Sequence, residues 1–205
     1  MNLTLTLVTD RRGLAPGEFY SVVREAAEGG VTAVQLREKN ASKAEIVDTA
    51  HELIKLLSPL NIPLIINDFV DIAKEVGAQG VHLGNSDGDP QTARKILGPN
   101  AIIGISVEHE SVTNIDGCDY LSASPVFSTD TKKDIAPPLG IEGVKKLRAN
   151  TTLPLIAIGG INEANASLLG GLGIEGIAVV SAIMWSKDPK GAAQRLLQEF
   201  RRNYG

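Results

Sequence analysis

The chain has 205 residues, with 24 acidic against 20 basic side chains and a formal net charge of −4. That length supports one core rather than several, and 43% apolar with 21% charged residues excludes a disordered or fibrous chain. The small acidic excess, with Lys and Arg scattered rather than banked along one helix, argues against nucleic acid as a partner. The segment Met1–Asp10 has no basic leader and alternates polar with apolar residues, predicting a first strand over Leu3–Thr9. A helix over Gly17–Glu28 follows, then strand Thr32–Arg37 and helix Ser42–Leu57, strand Pro63–Asn67 and helix Phe69–Val76. Strand Gly80–Leu83 leads to helix Pro90–Leu97, and strand Ile102–Ser106 to a short helix over His109–Asn114. Strand Tyr120–Ala123 precedes helix Ile141–Ala149, strand Leu155–Ile158 precedes helix Glu163–Leu169, and strand Ile177–Ser181 precedes helix Pro189–Asn203. Ser42, Asn162 and Asp188 stand where helix N-caps are expected.

Eight strand–helix units of roughly 25 residues each predict an α/β fold, a compact (β/α)8 TIM barrel spanning residues 1–205 as a single domain. A doubly wound open sheet is the competitor, but it would need two of the strands to be wrong. No run approaches the about 18 uninterrupted apolar residues of a membrane span. The one cysteine, Cys118, can form no internal disulfide, which suits a reducing, cytoplasmic location.

In a barrel the strands' C-terminal ends and the loops after them build the active site. In Val34-Gln35-Leu36-Arg37-Glu38-Lys39 the two-residue period sends Val34 and Leu36 toward the helices and Gln35, Arg37 and Lys39 toward the mouth. The bland reading is a solvated loop with an ion pair of little worth. Asn67-Asp68 and Asp87 follow consecutive strands, about 4.8 Å apart when neighbours. Two carboxylates that close repel unless one is protonated or a cation lies between them, an arrangement suited to Mg2+. Helix capping by Asp68, and a polar turn around Asp87, are the alternatives.

The longest connection, Ser124–Gly140, has 17 residues and offers Thr129, Thr131 and Lys132 as donors to an oxyanion. Gly159-Gly160 and Val180-Ser181 end the last two strands, whose loops often bind phosphate in this fold. Gly171–Gly176 fits G-x-G-x-x-G but follows a helix, the reverse of a dinucleotide site. His51, His82 and His109 show no zinc spacing, and no G-x-S-x-G elbow occurs.

Gln35-Leu36-Arg37-Glu38-Lys39, Ile66-Asn67-Asp68, Gly80–Asp87, Thr129–Asp134 and Ala157–Ile161, in that order, closely resemble the thiamine-phosphate synthase family over nearly the whole chain. The resemblance implies a barrel enzyme that joins a hydroxymethylpyrimidine diphosphate to a thiazole phosphate and releases pyrophosphate. By that resemblance Arg37, Lys39, Ser106 and Lys132 would be catalytic. Gln35, Leu36, Arg37, Glu38, Lys39, Asn67, Ser106 and Lys132 would bind the pyrimidine diphosphate. Thr129, Asp130, Thr131, Gly160, Val180 and Ser181 would receive the thiazole phosphate, and Asp68 and Asp87 would hold Mg2+. Two positions depart from the family pattern: Asn85 replaces a customary glutamine, and Ser124 replaces a glycine before Pro125.

The expected partners are small phosphorylated substrates, with homo-oligomer formation left open and neither nucleic acid nor membrane expected. The nearest rival is a TenI-type thiazole tautomerase, which should lack the diphosphate and metal set and place a histidine near the loop after strand six. Ser122–Asp134 contains none. A non-catalytic phosphate-binding barrel is the rival from another class.

Overall fold

The structure is a computed structural model and describes residues 1–84, 87–109, 115–129, 131 and 136–203. The strands are β1 (Leu5–Val8), β2 (Ala33–Leu36), β3 (Leu64–Asn67), β4 (Gly80–Leu83), β5 (Ile102–Val107), β6 (Tyr120–Ala123), β7 (Leu155–Ile158) and β8 (Gly176–Val179). The helices are α1 (Pro16–Glu28), α2 (Lys43–Leu57), α3 (Val70–Val76), α4 (Pro90–Leu97), α5 (Gly140–Ala149), α6 (Ser181–Met184) and α7 (Pro189–Arg201). Each strand pairs in parallel with its successor, and β1 pairs with β8, so the sheet closes as the predicted (β/α)8 barrel. Closure leaves no sheet edge, which rules out the open doubly wound sheet. Among the described helices none is long and apolar enough to cross a membrane.

The two-residue period divides every strand between two layers. Outward residues such as Leu5, Leu7, Val34, Leu36, Val81 and Leu121 pack with Phe19, Val23 and Leu53 of the helices in one large buried cluster. Inward residues Val8, Ala33, Ile65, Tyr120, Ile156 and Ala178 fill the barrel in a second, smaller one. Each fully buried Val, Leu or Ile among them contributes about 1.5–3 kcal/mol.

Helix starts follow from local chemistry. Ser42 and Glu45 form a reciprocal capping box at α2, while Asp89 and Asp188 accept backbone N–H groups at α4 and α7. Two expectations need correction. The helix foreseen over Glu163–Leu169 is reduced to a single 3-10 turn, Ala166–Leu168. There Asn162 and Asn165 side chains accept the N–H groups of Ala164 and Asn162, both at 2.9 Å, and these local bonds compete with helix formation. The last strand stops at Val179, and Ser181 opens α6, a helix that the continuous apolar run Val179-Val180 concealed. The helix foreseen over His109–Asn114 falls, apart from His109, outside the described residues.

One glycine shapes the barrel interior. Gly104 faces inward on β5, and a Cβ there would lie 2.1 Å from the Tyr120 ring, which is fully buried and crosses β5 at this gap. Gly104→Ala should therefore destabilise the fold by about 1–3 kcal/mol, the usual cost of overpacking a rigid core. Urea unfolding measures this, and an unchanged midpoint would contradict the ring's placement.

Candidate active site

The strands' C-terminal ends enclose a cavity of about 130 Å³ at the barrel mouth. Its floor is apolar, made by Val8, Ile156, Ile158 and Ala178, and its walls are polar. Gln35 is buried and faces the interior, while Val34 and Leu36 face the helices, as the two-residue period requires. Leu36 is therefore corrected as a side-chain contact of the substrate: it is 1% exposed in the outer layer. Glu38 also lies off the mouth. Its carboxylate accepts from Arg11 Nε at 2.6 Å, and Arg11 is held in turn by Thr49 and by the face of Phe19. Glu38 thus lines an adjoining cavity, which Arg37 and Lys39 share with the mouth. The Arg37 backbone N–H donates to Thr9 Oγ1 at 3.1 Å, tying the end of β2 to the end of β1.

Asp68 and Asp87 both reach the mouth. Asp68 does not cap α3, whose N-cap is Phe69 with no side-chain bond. Its φ is +69°, a left-handed conformation that aspartate and asparagine tolerate better than other non-glycine residues, and its N–H donates to the His82 carbonyl at 2.8 Å. The Lys39 ammonium donates to the Asp68 carboxylate. Burial pushes the Asp68 carboxyl above the ordinary carboxylate range; Lys39 opposes the rise, and the neighbouring Asp87 carboxylate adds to it. Asp87 also accepts the Gly84 N–H at 2.9 Å, so its carboxylate belongs to the turn after β4 and to the mouth at once.

The opposite wall carries Thr129, Thr131, Gly159, Gly160, Val180 and Ser181. Thr129 Oγ1 accepts the Thr131 N–H at 3.3 Å. Gly160 has φ +65°, and a Cβ there would lie 2.4 Å from the Ser128 carbonyl, so only glycine lets the two loops meet this closely. Asp130 and Lys132 lie outside the described residues, as does Asn85, one of the two departures. The other, Ser124, lines the mouth.

Two groupings were not foreseen from the sequence, although Ser106 itself was among the expected site residues. Asp10 is buried and grips Arg12 through both carboxylate oxygens; burial pushes its pKa up, but the bonds and charge of Arg12 outweigh this and hold it below the usual range. The second group is a buried chain. His82 Nδ1 lies 2.9 Å from the Tyr120 hydroxyl, and His82 Nε2 lies 3.0 Å from Ser106 Oγ. Burial pushes the His82 pKa down to about 4, against the attraction of Asp87, so the ring is neutral near pH 7. The signal for this chain lay in the period of two: His82, Ser106 and Tyr120 all occupy inward positions on consecutive strands.

Fold and mouth together define a (β/α)8-barrel enzyme whose cations, hydroxyls and paired carboxylates suit anionic small molecules. A family model described as thiamine monophosphate synthase matches residues 5–183, and the chain belongs to that family. It is 48% identical over 198 residues to a thiamine-phosphate synthase from Azorhizobium caulinodans, covering 95% of this chain and 93% of that one. A thiamine-phosphate synthase from Clostridium novyi is 43% identical, covering 96% and 98% of the two chains. Among solved structures, a thiamine phosphate pyrophosphorylase from Pyrococcus furiosus superposes with a TM-score of 0.87 at 38% identity, covering 99% of this chain and 98% of that one.

Proposed function

We propose that this chain, acting over 1–205 as one catalytic domain in the cytoplasm, joins hydroxymethylpyrimidine diphosphate to thiazole phosphate, giving thiamine phosphate and pyrophosphate. The observation that carries the reading is a single mouth with cations and paired carboxylates on one wall and hydroxyls and a bare Gly160 backbone on the other. Two anionic ligands can then meet over one apolar floor. The tautomerase reading is disfavoured, because the relatives reported above carry synthase names and Ser122–Asp134 holds no histidine.

Departure of pyrophosphate leaves positive charge on the pyrimidine methylene, where the aminopyrimidine ring delocalises it. The thiazole nitrogen attacks with its own lone pair, so no general base is needed. Arg37, Lys39 and Lys132 stabilise the leaving diphosphate electrostatically, and Ser106 donates a hydrogen bond to it. Gln35 and Asn67 place amides where the pyrimidine ring would sit. Thr129, Thr131, Gly160 and the Val180-Ser181 backbone anchor the second phosphate, aiming the nucleophile along the reaction axis. The apolar floor keeps water from competing for the carbocation.

Asp68 and Asp87 are the residues that would hold Mg2+. Their donor set fits: two neighbouring carboxylates at the mouth, one of them already drawing a Lys39 ammonium. Mg2+ commonly takes one or two protein carboxylates and completes its shell with water and substrate phosphate. When bound it would neutralise charge on the diphosphate as it leaves.

The test is pyrophosphate release with both substrates, with each omitted in turn, and with excess chelator. Release should need both substrates, stop in chelator and return with added Mg2+. Turnover unchanged by chelator would overturn the metal assignment, and release without the thiazole phosphate would overturn the coupling of the two pockets.

A further inference from the structure

The reaction uses the Ser106 hydroxyl as a donor, and that hydroxyl ends a chain that runs through His82 to the buried Tyr120. We infer that His82 is a positioning residue which, as the Nε2–H tautomer, fixes the Ser106 hydroxyl as a one-way hydrogen-bond donor into the mouth. The inference deepens the proposed function and rests on it for the identity of the acceptor, an oxygen of the pyrimidine diphosphate.

The direction follows from the end of the chain that has no choice. Tyr120 is 0% exposed, and among the described residues the partner of its hydroxyl is His82 Nδ1, at 2.9 Å. If that oxygen accepted a proton from Nδ1–H, its own proton would be left buried without an acceptor, a costly arrangement. Tyr120 therefore donates, and Nδ1 accepts. An imidazole that accepts at Nδ1 carries its proton on Nε2, so Nε2–H donates to Ser106 Oγ across 3.0 Å.

The Ser106 proton is then excluded from the ring side. Ser106 is half-buried and lines the mouth, so its O–H points toward whatever occupies the cavity. A diphosphate offers acceptor oxygens alone, which a committed donor matches. The opposite tautomer would turn the Ser106 proton back to the ring and present a lone pair to the anion. The chain exists because Gly104 lacks a side chain: the Tyr120 ring crosses β5 there to reach His82 on β4, the ring centroids standing 5.5 Å apart. No proton is transferred. The chain sets orientation only, so Tyr120 and His82 act through Ser106 and touch no substrate.

Two measurements test this. In the full chain labelled with 15N-histidine, NMR at neutral pH should show His82 with Nδ1 unprotonated and Nε2 protonated; the reverse pattern overturns the inference whatever the substrates prove to be. In the two-substrate assay, Tyr120→Phe, which keeps the ring that fills the barrel, and His82→Leu should each lower kcat about 10- to 100-fold, the worth of a hydrogen bond to a charged group. KM for the thiazole phosphate should not move. His82→Gln, which returns an amide N–H to the Nε2 position, should recover most of the loss. In a Ser106→Ala background neither Tyr120→Phe nor His82→Leu should cost anything further, because residues acting through one hydroxyl are not additive. Losses that multiply with Ser106→Ala, or a Tyr120→Phe enzyme with wild-type kcat, would overturn it. A wild-type chain that releases no pyrophosphate defeats the proposed function instead, and the NMR arm still decides the tautomer.

Discussion

Asp68→Asn should lose about 100-fold or more in turnover and yet unfold no earlier than the wild type. The loss follows from removing one of two carboxylates that would hold Mg2+, whose charge stabilisation is worth several kcal/mol in such reactions. The stability follows from the sign of the Asp68 shift. A carboxyl whose folded pKa is raised takes up a proton more readily folded than unfolded. Its ionised form then costs stability at neutral pH, and that cost disappears as pH falls through the raised pKa. Asparagine removes the charge, keeps the shape and tolerates the φ of +69° that aspartate adopts here. The loss of the Lys39 contact is a minor debit, because Lys39 is substantially exposed. Steady-state turnover set beside thermal unfolding checks both halves. Wild-type turnover in Asp68→Asn would remove Asp68 from the site.

Arg37→Ala carries the second large effect, a fall of about 100- to 1,000-fold in kcat/KM for the pyrimidine diphosphate, the range seen when one preorganised donor to developing charge is removed. Arg37 stands between the mouth and the adjoining cavity and is half-buried, so its charge acts where water is partly excluded. The fold should survive: the Arg37 bond to Thr9 is made by the backbone, and Asp10, which feels the Arg37 charge, keeps Arg12. Arg37→Lys should recover part of the activity, because the charge returns without the bidentate fork. KM for the thiazole phosphate should be unaffected, since that ligand is placed on the opposite wall. Equal losses toward both substrates would mean that Arg37 supports the mouth generally rather than the diphosphate.

The barrel was legible because closed parallel strands have an outer face of uninterrupted aliphatics, and runs such as Leu64-Ile65-Ile66 and Leu155-Ile156-Ala157 announce themselves. Gln35 and Arg37 could be placed at the mouth from the two-residue period alone, which also sets Leu36 on the far side, where it is found. Motif membership does not carry that geometric information: it groups Leu36 and Glu38 with neighbours from which their side-chain positions separate them. The helix after β7 failed to form because Asn162 and Asn165 satisfy backbone N–H groups locally, a competition that apolar periodicity does not register. The Tyr120–His82–Ser106 chain was hidden for a different reason. Its members are far apart in sequence, and their meeting depends on the β4–β5–β6 register and on the gap at Gly104. The left-handed backbone of Asp68 is likewise a tertiary result, held by its N–H bond to the His82 carbonyl.

The central claim, that one mouth joins two phosphorylated molecules, is tested most directly by mass spectrometry of the products formed from hydroxymethylpyrimidine diphosphate and thiazole phosphate with Mg2+. The account predicts thiamine phosphate and pyrophosphate in equal amounts, with neither formed when a substrate is withheld. A thiazole phosphate that is isomerised or returned unchanged, with no pyrophosphate released, would contradict it.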